Sequence, residues 1–187
     1  MKRLIILVMA LLVLTLVGCG GGGKQEQQAS TDKPKMQQEE LLTPAGGLGD
    51  TLENINKACG KPTEIREAIN SEGFGRYYFY KDITIGTYID ERAREITIKP
   101  SSGKKWSQIQ ALEEIKKHIP KDSVLVKSWD KDETRKIYYY KSDILSKYFK
   151  DNWYEDIDGN VNRGSFIVVV HNMQGISSIM IATGSNI

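Results

Sequence analysis

Two short stretches with helix-start grammar, each followed by a train of strand-like runs, constrain this chain more than any other feature. Asp50-Thr51-Leu52-Glu53 fits a capping box, and Leu52, Ile55 and Cys59 fall on one helical face. Gly60 suits the left-handed position after a helix and Pro62 blocks continuation, so the spacing predicts a helix over 51–59. The runs 63–69, 74–80, 83–89 and 94–99 then carry aromatic and β-branched residues, separated by Gly, Asn, Asp and Pro, and read as strands. Ser107-Gln108-Ile109-Gln110 is a second capping box, with Ile109, Leu112 and Ile115 as its apolar stripe and Ile119-Pro120 as its stop. Strand runs follow again at 123–129, 136–140, 165–171 and 176–183.

A spacing of about 57 residues between the two trains suggests duplication of one helix-plus-sheet unit. The second copy is interrupted by 142–149, which reads as a short helix capped by Ser142, and by a polar loop to Gly164. The expected fold class is α+β: two tandem helix-plus-antiparallel-sheet units, 49–103 and 104–187, after a disordered tether. Gly49-Asp50-Thr51-Leu52-Glu53-Asn54-Ile55, leading to Cys59-Gly60-Lys61-Pro62-Thr63, resembles the glycine, short helix and Gly-x-Pro turn of small outer-membrane assembly lipoproteins. Two such units in tandem are similar to the β-lactamase inhibitor protein, whose repeats set helical elements against a four-stranded antiparallel sheet. The resemblance covers most of 49–184 and speaks to fold more than to function.

The N-terminus carries an address. Met1-Lys2-Arg3 is a short positive region and 4–17 an apolar run too short to span a bilayer with stable flanks, so 1–18 read as a signal peptide. Leu16-Val17-Gly18-Cys19 resembles the lipobox of lipoprotein precursors, which implies diacylglycerol on the Cys19 thiol and cleavage just before it. Two or three acyl chains hold a protein at a membrane where one does so only reversibly. The expected location is the cell membrane or outer membrane, lipid-anchored and facing outside the cytoplasm. Residues 19–48 carry, after Cys19, four glycines and a polar stretch that buries too little to offset its ordering entropy, and read as a tether reaching roughly 30 Å.

Charge excludes a class of partner. The full chain has 26 basic and 24 acidic residues, and removing Lys2 and Arg3 with the signal peptide leaves 24 of each. That balance, with both signs interleaved, argues against nucleic acid. With Cys19 lipidated, Cys59 is the one thiol of the folded part, a small hydrophobe continuing the stripe of Leu52 and Ile55, and otherwise a reactive thiol or half of an intermolecular bridge.

Catalytic and metal signatures fail one by one. The chain has no Gly-x-Ser-x-Gly elbow, no His-Glu-x-x-His and no phosphate-binding loop, and its two histidines, His118 and His171, lack ligand-spaced neighbours. Asp156-Ile157-Asp158-Gly159-Asn160 begins like a calcium loop, but Val161 and Ile167 stand where an EF-hand needs glycine and a carboxylate. No cofactor and no metal are expected, and an enzyme is not. Aromatics carry more information: Tyr77, Tyr78, Phe79 and Tyr80 are consecutive, as are Tyr138, Tyr139 and Tyr140, so strand alternation puts rings on both faces of a sheet. One face packs on a helix; the other either displays its tyrosines or is covered by the second unit or the inserted helix. Tyr78, Tyr80, Tyr139 and Trp153, joined by Tyr88 and Trp129, are the candidate partner-binding residues. The expected function is a non-catalytic, membrane-anchored module that binds or scaffolds another envelope protein, with a receptor for a small ligand or cell-wall fragment as the alternative. Replacing Cys19 by Ala should leave an uncleaved precursor without fatty acid; labelled fatty acid incorporated at the wild-type level would refute the anchor.

Overall fold

The computed structural model describes residues 39–70, 73–88, 90–155 and 158–184; the residues expected to form the signal peptide, Cys19 and those expected to form the tether, up to residue 38, lie outside them. In chain order come α1 (Leu52–Cys59), β1 (Glu64–Asn70), β2 (Gly73–Phe79), β3 (Ile83–Thr87), β4 (Ala93–Ile98), α2 (Gln108–His118), β5 (Val124–Asp132), β6 (Arg135–Lys141), β7 (Ser165–Asn172) and β8 (Ile176–Thr183). The expectation of two tandem helix-plus-sheet units is overturned: among the described residues eight strands join one antiparallel sheet, in the order β1-β2-β3-β4-β8-β7-β6-β5, with two short α-helices. The cause is the pairing of β4 with β8, in register from Glu95 opposite Ala182 to Ile98 opposite Ile179. Two separate sheets would leave these strands as edges with unpaired backbone groups; paired, they also align Ile96 with Ile181.

One face of this sheet carries the core. Tyr78, Tyr80, Ile85, Ile96, Phe166 and Val168 pack there with Ile55 of α1, Ala111 and Ile115 of α2, and Leu145 and Tyr154 of the β6–β7 connection, all buried. Both helices start as their caps require, although α1 is capped by Thr51 and not by Asp50: Thr51 Oγ1 accepts from the Asn54 amide at 3.3 Å. In α2 the Ser107 hydroxyl accepts from the Gln110 amide, and the Gln110 side chain accepts from the Ser107 amide. The 142–149 insertion winds into a 3₁₀ turn, Leu145–Lys147, with Ser142 Oγ accepting from the Leu145 amide at 2.9 Å. A second 3₁₀ turn spans Asp151–Trp153. Tyr154 follows it and is fully buried, its hydroxyl donating to the Leu145 carbonyl at 2.6 Å.

Residues 39–48, which composition assigns to the tether, lie against the two helices. Asp50, freed from capping, is buried and gathers them: its carboxylate accepts from the Leu42 amide at 2.6 Å, the Thr43 hydroxyl at 2.5 Å and the Gly47 amide at 2.8 Å. Burial pushes the Asp50 carboxyl above its ordinary value against the pull of those hydrogen bonds. The Ala45 and Leu48 amides donate to the carbonyls of Lys117 and His118, and His118 Nδ1 meets the Gly46 carbonyl at 2.7 Å. Gly47 is the closest point, since a Cβ there would stand 2.3 Å from the His118 oxygen. Gly47→Ala should therefore cost about 1–3 kcal/mol through forced separation of this turn from α2, read as a lowered urea midpoint; unchanged stability would show that the turn is not clamped.

Candidate functional site

Among the described residues the sheet ends in two edge strands, β1 and β5, and the chain treats them differently. At β1 the exposed Glu64, Ile65, Arg66 and Glu67 include a Glu64–Arg66 ion pair at 2.6 Å, and the Arg66 guanidinium also lies over the Phe79 ring at 4.6 Å. Such charges blunt an edge. At β5 every residue is exposed, including four large apolar ones: Val124 is 64 % exposed, Leu125 48 %, Val126 55 % and Trp129 39 %.

β5 is held to β6 by a tight hairpin. Asp132 accepts from the Thr134 amide at 2.9 Å and hydroxyl at 2.8 Å and from Arg135 Nε at 2.7 Å, closing the turn as short acidic side chains do. The Arg135 guanidinium, with Thr134, holds the Asp132 carboxyl well below the usual carboxylate range. Register places Lys127 opposite Tyr139 and Trp129 opposite Ile137, so the four share one face. That face continues through Ile167 and Val169, the partners of Tyr139 and Ile137 on β7. It is the face away from the helices: Ile137, Ile167 and Val169 cluster with Tyr139, Met180 and Ala182, all of them sheet residues.

The electrostatics of this flank are lopsided. Lys127 Nζ lies 5.2 Å from the Trp129 ring centre and 5.6 Å from that of Tyr139, a cation over two aromatic faces. Asp130 and Asp132 are engaged by Lys136 at 3.6 Å and Arg135 at 2.5 Å. Among the described residues no carboxylate stands within ion-pair distance of Lys127. An apolar, aromatic and cationic strip therefore borders an open sheet edge.

Of the residues expected to bind a partner, Tyr139 and Trp129 belong to this strip, Tyr139 half-buried beside Lys127. Tyr78 and Tyr80 are corrections: at 4 % and 8 % exposure they point into the core, where the Tyr80 hydroxyl donates to Asn56 Oδ1 at 2.9 Å and burial pushes it up to about 12. Trp153 is half-buried on the helix side, its ring centre 5.1 Å from that of Tyr88 and beneath the Arg94 guanidinium. Cys19 lies outside the described residues. Lys127 and the Val124–Val126 triplet were not foreseen; the signal for them is an unalternating apolar run that passes into Lys-Ser-Trp-Asp.

Elsewhere the surface is less specific. A concavity of about 260 Å³ is lined by Glu67, Arg76, Tyr78, Tyr88 and Glu91, smaller than most drug-sized ligand sites. No group of three or more metal-ligating side chains occurs among the described residues, and no helix among them is long and apolar enough to cross a membrane. Burial pushes the Cys59 thiol up, away from the reactive thiolate.

These placements predict opposite behaviours. Tyr78→Ala and Tyr80→Ala should each lose about 3 kcal/mol or more of folding stability, whereas Trp129→Ala should stay within about 1 kcal/mol of wild type. Urea unfolding of the three variants decides; a Trp129→Ala loss as large as the others would make β5 a packed strand.

No family model matches this chain, and neither a curated protein nor a solved structure does.

Proposed function

We propose that this chain is a non-catalytic lipoprotein, anchored through Cys19 outside the cytoplasm, that binds another envelope protein along the β5 flank of its sheet. The observation that carries this reading is the exposure of Val124, Leu125, Val126 and Trp129 together on one sheet edge, in a chain whose other edge is charged. Contiguous exposed apolar surface of that kind marks interaction sites, and tryptophan is an enriched anchor at protein interfaces. Leu16-Val17-Gly18-Cys19 supplies the support for the membrane anchor. The balanced charge of the processed chain speaks for a protein partner over a polyanion.

Photo-crosslinking side chains placed at Val126 or Trp129 of the membrane-bound protein should yield a discrete adduct, and the same group at Lys116 on the solvent side of α2 should not. Trp129→Ala should weaken capture of the adduct partner by about 2 kcal/mol, roughly thirtyfold, without moving the thermal midpoint. Adducts of equal yield from Lys116, or none from β5, would overturn the assignment of this surface.

A further inference from the structure

We infer that β5 receives a short extended segment of its protein partner, laid along the strand, with a carboxylate meeting Lys127 and an apolar side chain meeting Trp129. The claim rests on the protein-binding reading above and adds the mode and the chemistry of the partner.

Three features converge on it. First, β5 is the last strand of the sheet in the strand order and, among the described residues, pairs with β6 alone. Alternate backbone groups of such a strand point outward, a template for strand addition. Second, the ladder to β6 shifts register between Leu125 and Lys127 and again between Asp130 and Asp132. The regular stretch between these irregularities is Lys127 to Asp130, about 3.4 Å per residue and so roughly 14 Å long. Bulges of this kind prevent an edge from zipping along its whole length, which restricts the guest to a few residues. The edge therefore disfavours indiscriminate pairing, including extended pairing with a second copy, and leaves side-chain chemistry to select the guest.

Third, that chemistry is one-signed. Lys127 stands over Trp129 and Tyr139 while the acids of the strand are already engaged by Lys136 and Arg135. A guest carboxylate opposite Lys127 completes the pattern, and the next guest residue on the same face falls beside Trp129, two positions along β5. A basic guest would place two cations together. An exposed ion pair adds little affinity by itself, but it sets choice of partner and register.

The test uses two fluorescent, end-capped eight-residue peptides of alternating valine and threonine, one with a central glutamate and one with a central lysine, titrated by anisotropy into the full processed chain in lipid nanodiscs at low salt. The glutamate peptide should bind at least tenfold more tightly than the lysine peptide and slow amide exchange within β5. Lys127→Glu should reverse the preference and Lys127→Gln should abolish it, with thermal unfolding confirming that both variants fold. Absence of saturable binding, equal binding of the two peptides, or a preference unchanged in Lys127→Glu would overturn the inference. A β5-mediated dimer that the glutamate peptide does not compete with would overturn it too, by assigning the edge to a second copy. Specific adducts from Trp129 without peptide discrimination would defeat strand addition and leave the broader protein-binding reading intact. Peptide discrimination without adducts from the membrane-bound protein would do the reverse.

Discussion

The hydrogen-bonded seam between β4 and β8 is what every other part of the molecule is arranged around. Chain order alone runs the polypeptide from β4 through α2 to the far edge, and the strands β5, β6 and β7 are then laid down inward until β8 meets β4. Closing that seam satisfies the backbone of both strands and brings Ile96 and Ile98 beside Ile181 and Ile179 in one apolar layer. Both helices and the β6–β7 connection then cover a single continuous face, so the core is shared and neither half owns one. A break in the seam would expose edges on both sides and divide that core, which makes it a long-range contact on which cooperativity depends.

Local grammar was legible because its causes are local. The Ser107 box reads directly from residues three apart, since a hydroxyl and an amide side chain at that spacing satisfy each other's backbone partners. The Asp50 region was read one residue out of phase. Aspartate and threonine both suit an N-cap, and only the tertiary fold decides that Thr51 caps while Asp50 accepts the amides of Leu42 and Gly47. The β4–β8 seam was not legible at all: nothing in Glu95-Ile96-Thr97-Ile98 distinguishes an edge from a strand whose neighbour arrives after β7. What appeared as two units is therefore one sheet.

The tyrosines show the same limit at the level of a face. Alternation requires Tyr78 and Tyr80 to share one side and Tyr77 and Phe79 the other, but not which side the helices cover. The helices cover Tyr78 and Tyr80, which become core, and the open side at the far edge belongs to Tyr139 with Trp129 and Lys127. Ring count on a strand measures available contact area; where a ring goes depends on packing partners distant in sequence. Trp153 illustrates this, since its neighbours Tyr88 and Arg94 come from the other half of the chain.

The turn gathered by Asp50 has a mechanical meaning. Tension applied to the chain ahead of Glu39 enters the folded body beside Arg92, whose guanidinium holds the Glu39 carboxylate at 2.6 Å, and next meets the Asp50 hydrogen bonds and the backbone bonds to Lys117 and His118. The strand ladder lies beyond that clasp. A load along the chain there has to draw the buried Leu42 and Leu48 from their places as well as break those polar bonds, so the clasp resists as part of the folded body and not as a loose end.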